Sequence, residues 1–138
     1  MILVFLLASL LGVHLRFGVA SLAGVAAAVM LGSAIFSTFS LIAACIVKSR
    51  ERFMGIGQVL TMPLFFASNA IYPLSMMPGW LRSISIVNPL TYQVDALRCL
   101  MIQAGASMFG LPVDFAAQLL AFAVLVAIAT RLYPKIIT

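Results

Sequence analysis

Residues 19–47 carry no charged side chain. A helix needs about 20 mostly apolar residues to cross the ~30 Å hydrocarbon core of a bilayer. This stretch exceeds that length, so it can span by tilting or by projecting past the headgroups. Such a segment restricts the whole fold, because backbone in lipid must satisfy its hydrogen bonds inside helices or closed barrels. The composition agrees. Of 138 residues, 64% are apolar and 8% charged, and the mean hydropathy is +1.22; soluble domains run at roughly 45–50% apolar and about 25% charged. Too few polar side chains remain to cover a globule in water, which excludes a soluble enzyme, a disordered tail and a nucleic-acid-binding domain. The net charge of +5 comes from Lys and Arg that form no stripe, an excess that membrane proteins carry for topological reasons. An all-α integral membrane protein of one domain is expected.

Three full spans are predicted, at residues 19–47, 54–72 and 114–131. Pro63 is tolerable within the second, provided neighbours satisfy the freed carbonyl. Asp114, after Pro112, is placed to cap the last span, and Arg131 to snorkel at its end. Residues 1–13 are anomalous: at 1.5 Å each they cover roughly 20 Å, about two-thirds of the core. No basic residue precedes this apolar run and no clean small-residue cleavage site follows, which argues against a signal peptide. A partial span is expected, the end of a helix that begins earlier in a longer natural chain.

Charge sets the orientation. The loop at residues 48–53 holds Lys48, Arg50 and Arg52 with Glu51, and the tail at 132–138 adds Lys135 beside Arg131. Four crossings put loop and tail on one side, the cytoplasmic side by the positive-inside rule. Arg16, Arg82 and Arg98 then lie outside, the last two with Asp95 and Asp114. The expected location is the cell membrane, with several passes.

Residues 73–112 do not resemble a span. Pro73, Pro78 and Pro89 lie there with Trp80, Arg82, Asn88, Tyr92, Asp95 and Arg98. Lipid would not accept so many breakers and charges, and a soluble loop would not be so rich in Leu, Ile, Val and Met. A re-entrant pair of short helices at the outer interface fits both. Pro78 opens the first, over residues 78–87, where Trp80, Ile84 and Val87 share a face and Trp80 is an interfacial anchor. Asn88 and Pro89 supply the N-cap and first-turn residues of the second, which runs to about Gln103 with Leu97, Leu100 and Met101 as an apolar edge. Asp95 and Arg98 are three apart, close enough to pair. At a wet interface that pair contributes ~1 kcal/mol or less; buried, its greater attraction is offset by desolvation.

Chemistry-bearing residues are few. No phosphate-binding loop occurs: the glycines at 105 and 110 are followed by Leu-Pro, with no lysine to reach a phosphate. ATP hydrolysis would therefore need a separate chain. His14 has no ligand partners in sequence reach, and Cys45 and Cys99, without CxxC spacing, are packing residues. No catalytic residue, cofactor or metal is expected. Gly24, Ala28 and Gly32 form a small-residue ridge that admits a close helix, from this chain or a second subunit, unless it simply faces lipid. Ser33, Ser37, Thr38 and Ser40 either face a pathway or bond back to their own helix.

Three runs then carry a resemblance: Phe65-Phe-Ala-Ser-Asn69-Ala-Ile-Tyr-Pro73, Met77-Pro-Gly-Trp-Leu81 and Asn88-Pro-Leu-Thr-Tyr92-Gln-Val-Asp-Ala-Leu-Arg98. With Lys48-Ser-Arg-Glu-Arg52 they resemble the C-terminal half of a type-2 ABC transporter permease, in the spelling of the daunorubicin and multidrug exporter branch. The resemblance implies a six-helix subunit of an ATP-driven exporter of drugs, lipids or glycoconjugates, here from the end of its third span onward. It implies an ABC ATPase subunit and a second permease subunit, identical or not, as partners within the bilayer. The outer gate would comprise Pro73, Pro78, Trp80, Asn88, Pro89, Tyr92, Asp95 and Arg98. In it Asp95 and Arg98 either brace the closed pathway or orient a helix in wet headgroups. Lys48, Arg50, Glu51 and Arg52 would face the ATPase. The first two helices and the main ATPase-docking loop would precede Met1. The alternative is a small non-catalytic membrane scaffold or assembly protein.

Overall fold

Small side chains decide which helices meet. The computed structural model describes residues 2–16, 18–47, 49–102 and 105–132, and the described residues form α1 (Ile2–Leu10), α2 (Val19–Ile46), α3 (Arg50–Phe66), α4 (Gly79–Val87), α5 (Pro89–Met101) and α6 (Leu111–Leu132), with a 3-10 turn at Leu74–Met76. On α2 the buried residues are Val25, Ala28, Gly32 and Ile35, a stripe three to four residues apart, as one helical face requires. That stripe brings α5 and α6 onto α2, and the three helices pack on one another. By contrast, α3 touches α2 lightly and α4 touches α5. Around this group the remaining apolar surface is largely exposed, Val19, Met30, Met54, Val59 and Leu120 among it, as expected where lipid or further helices supply the solvent. Two of the described helices, α2 and α6, are long and apolar enough to cross a membrane.

The chain enters this group through α1, which ends in a turn at Gly12, φ 75°. Leu15, itself buried, pairs with Ile102 in an antiparallel bridge, and Arg16 N donates to Met101 O at 2.9 Å. The first segment is thereby tied to the C-terminal end of α5.

Several boundaries differ from expectation. Helix α3 begins at Arg50, so Glu51 and Arg52 occupy its first turn rather than a loop, with Glu51 favourably placed at the positive end of the helix. It continues through Pro63 but stops at Phe66, short of residue 72. The stop is local: Ser68 Oγ donates back to Phe65 O at 2.6 Å, and Asn69 has φ 60°, a left-handed conformation that ends a helix. Asp114 does not cap α6. That helix starts earlier, at Leu111, and Gly110, φ 93°, makes the turn into it while its carbonyl accepts from Val113 N and Asp114 N at 3.0 Å each. Asp114 is therefore a full turn too late to cap. Lys48, Gln103 and the tail 133–138 lie outside the described residues, as does the Arg50 side chain.

The two short helices, α4 and α5, begin where local signals place them. Pro78 is the N-cap of α4. Asn88 Oδ1 caps α5 by accepting from Leu90 N at 3.1 Å, and Pro89 follows in the first turn, where its missing N–H costs nothing. In α2, Ser33 Oγ donates to Val29 O and Thr38 Oγ1 to Ala34 O, both at 2.8 Å, so these hydroxyls bond back into their own helix.

Candidate functional site

A helix leaves its last four carbonyls without partners, and at the end of α3 side chains from α4 and α5 supply them. Asn88 Nδ2 donates to Leu64 O at 2.7 Å. The Ala67 carbonyl accepts two hydroxyls, Ser85 Oγ from α4 and Thr91 Oγ1 from α5, the latter at 3.3 Å, which uses both of its lone pairs. Arg98 Nη2 donates to Asn69 O at 3.0 Å. Asn69 closes its own turn, its Oδ1 accepting from Leu74 N at 3.1 Å. Ser68, Asn69, Ser85, Thr91 and Asn88 are all buried. Each such bond contributes about 1 kcal/mol net, but leaving one buried partner unmade costs about 1–3 kcal/mol.

A second polar cluster joins α5 to the start of α6. Asp95 Oδ2 accepts from Met108 N at 2.8 Å, from Phe109 N at 3.3 Å, and from Ser107 Oγ, which lies 2.9 Å away. Ser107 Oγ is also 2.9 Å from Asp114 Oδ2 and accepts from Gly110 N at 2.7 Å. Both carboxyl groups are fully buried, as is Gln118 one turn further along α6, whose Nε2 donates to Asp114 O at 3.3 Å. Met108 and Phe109 thus hold a carboxylate on α5 with backbone N–H groups, a favourable way to hold buried negative charge.

Asp95 and Arg98 do not pair with each other. Three-residue spacing puts both on one side of α5, but the carboxylate turns to residues 107–109 and the guanidinium to Asn69 O. Among the other residues of this stretch, Tyr92 OH donates to Ile86 O at 2.7 Å, at the last turn of α4, and its ring lies 5.2 Å from that of Phe109. Pro73 and Pro78 precede the 3-10 turn and α4. Trp80, Ile84 and Val87 form an exposed stripe on α4, Trp80 being 69% exposed, while Ser85 on the opposite side is buried. Glu51 and Arg52 are exposed at the far end of α3.

The ridge on α2 meets α5: a Cβ at Gly24 would lie 3.0 Å from Leu100 Cδ2, and one at Gly32 would collide with the Gln93 amide. Beside this seam an apolar groove of about 520 Å³ runs between α2, α6 and the α4–α5 corner, lined by Phe36, Phe39, Leu64, Leu120 and Val124. Asn88 and Tyr92 border it with their polar atoms already bonded within the protein. No group of three metal-ligating side chains occurs among the described residues. His14 is exposed, and Cys45 and Cys99 are free, half-buried thiols.

Sequence reasoning missed Ser85, Thr91, Ser107 and Gln118. One signal was available: Asn88, Thr91, Asp95 and Arg98 recur three or four apart, a polar stripe on a helix in an otherwise apolar chain. The identity of their partners, 12 to 29 residues away, was not.

Residues 1–102 match the family model described as ABC-2 type transporter. Among curated proteins, the chain is 41% identical over 64 residues to a protein of Cyanophora paradoxa named as a transport permease, ycf38; the match covers 46% of this chain and 22% of that one. It is 42% identical over 40 residues to the protein of the same name from Porphyra purpurea, covering 29% of this chain and 14% of that one. It is also 25% identical over 67 residues to Nodulation protein J of Rhizobium meliloti (strain 1021), covering 49% of this chain and 26% of that one. The matched segments therefore span about a quarter or less of these relatives' own lengths. No solved structure matches.

Proposed function

The chain belongs to the ABC-2 type transporter family, and on that premise we propose that it forms part of the transmembrane permease subunit of an ATP-driven exporter. Its partners are a separate ABC ATPase subunit, which hydrolyses the nucleotide, and a second permease subunit, which closes the pathway across the bilayer of the cell membrane. The cargo class is a drug, lipid or glycoconjugate. The observation that carries the reading is the family match over residues 1–102, and the form of α3 supports it. One end of α3 presents the Glu51 and Arg52 turn, and the other is bonded through its carbonyls to α4 and α5.

In this mechanism the basic segment Lys48, Arg50, Glu51 and Arg52 meets the ATPase on the cytoplasmic side. ATPase closure displaces α3 as a rigid rod, because the hydrogen bonds inside a helix are stronger constraints than its light contact with α2. The displacement arrives at the α3 terminus and is passed to the re-entrant pair α4–α5, whose Pro73, Pro78, Trp80, Asn88, Pro89, Tyr92, Asp95 and Arg98 form the outer gate. Gly24, Ala28 and Gly32 provide the close seam along which α2 and α5 move together. No covalent chemistry occurs on the permease.

The test is charge reversal, Arg50→Glu with Arg52→Glu, in the full-length transporter assembled with its ATPase. Substrate-stimulated ATP turnover should fall toward the basal rate while the protein still reaches the membrane. Stimulated turnover equal to the parent's would remove this segment from the coupling route. Co-purification of a nucleotide-binding subunit with the parent supports the permease reading. Its absence under mild detergent would favour a membrane scaffold.

A further inference from the structure

Proton counting at the start of α6 exposes a need that the heavy atoms alone do not meet. A serine hydroxyl has one proton to give and two lone pairs to accept with. Ser107 Oγ accepts from Gly110 N at 2.7 Å and lies 2.9 Å from a carboxyl oxygen of Asp95 and 2.9 Å from one of Asp114. Two carboxylates cannot both receive its single proton, and two like charges bridged by one atom repel. If one carboxyl is itself protonated, the inventory closes. Ser107 then donates to one acid, accepts from the other, and accepts from Gly110. Both acids and Gln118 are fully buried, and Asp95 Oδ1, Asp114 Oδ1 and Gln118 Oε1 have no donor among the described residues.

We propose that Asp95, Ser107 and Asp114 form a buried proton-binding site in which Asp114 holds the proton, donates it to Ser107 Oγ, and Ser107 in turn donates to an ionised Asp95. The order follows from the other bonds. Asp95 Oδ2 already accepts from Met108 N and Phe109 N, which suits a carboxylate, whereas neither oxygen of Asp114 accepts a backbone N–H. The segment before α2 brings Arg16 to the C-terminal end of α5, where its backbone N–H donates to Met101 O. On α5, Arg98 turns its guanidinium to Asn69 O. On α6 the adjacent polar group is Gln118, and α2, packed against both, carries no charged residue. The proton ties residues 107–110 between α5 and α6, so the link between the outer pair and the last helix depends on it.

Infrared spectroscopy of the lipid-reconstituted chain tests this directly. At about pH 5.5 ordinary aspartates and glutamates are largely ionised, so a C=O stretch from a neutral carboxyl, shifted by deuterium oxide and by carboxyl-labelled aspartate, is the expected signal. Asp114→Asn should abolish it while leaving helix content unchanged, because the amide donates to Ser107 as the neutral acid does. Ser107→Ala should move its frequency without removing it, which keeps the test decisive even if the asparagine variant does not fold. Absence of the band in the parent overturns the proposal. So does a band that survives Asp114→Asn, or one that Ser107→Ala leaves unmoved.

Discussion

Helix α5 is held on one side by shape and on another by hydrogen bonds. Against α2 the fit depends on missing atoms: a Cβ at Gly24 would press on Leu100, and one at Gly32 would have to displace the end of the Gln93 side chain. Against α3 it depends on atoms supplied, since Asn88, Thr91 and Arg98 reach carbonyls that α3 cannot satisfy alone. Shape suits the lipid-facing length of the molecule, because helices in a membrane gain little from hiding apolar surface and associate mainly by close packing. Side-chain bonds suit the place where a helix ends, since an unmet carbonyl away from water is costly. The contrast locates stiffness. The seam takes added volume only if Leu100 or Gln93 moves, whereas at the junction the Ala67 carbonyl has two partners and can lose one.

Substitutions separate the two sides of α5. The largest effect is expected for Gly32→Leu, which overfills the seam and should cost about 3 kcal/mol, the upper end of ordinary overpacking, read as a lower thermal midpoint of the reconstituted chain. Gln93→Ala on that background should restore part of the loss, and a Gly32→Leu protein as stable as its parent would break the claim that shape holds this side. Next comes Asn88→Leu, which removes the α5 cap and strands Leu64 O, for about 2–3 kcal/mol together. Asn88→Ser sharpens this, because serine still caps but is too short to reach Leu64 O, so only the second part should be lost. Thr91→Val should cost about 1 kcal/mol or less, since Ser85 still serves the Ala67 carbonyl. Combined with Ser85→Ala it should cost more than the two singles added, the non-additivity expected of shared partners; simple additivity in denaturation midpoints would show that the two hydroxyls act separately. The smallest effect is expected for Trp80→Ala, within about 0.5 kcal/mol, because that ring is outward on α4.

Much of the architecture was legible because its signals are local. The uncharged run gave α2, Pro78 and the Asn88-Pro89 pair gave the starts of α4 and α5, and the small residues on α2 marked a surface suited to a close helix. What was not legible depends on contacts distant in sequence. The end of α3 is fixed by the left-handed Asn69, a backbone angle that no composition rule announces for a residue lying between Ser and Ala. Spacing placed Asp95 and Arg98 within reach of each other, yet reach does not choose between partners. Backbone N–H groups at 108–109 and the Asn69 carbonyl offered each a bond, and the two side chains did not pair. Asp114 followed Pro112 as a cap would, but the turn at Gly110 started the helix a full turn sooner and sent the carboxyl inward.

The carbonyls at the end of α3 also impose an order of events during synthesis. Leu64, Ala67 and Asn69 leave the ribosome 18 to 29 residues before the side chains that bond them. At about 5–20 residues per second, the longest of these waits lasts about 1.5–6 s. For that interval these carbonyls lack their side-chain partners, and a backbone group left unmet away from water is costly. The nascent chain thus carries a checkpoint: the end of α3 has its full set of hydrogen bonds only after α4 and α5 have been made.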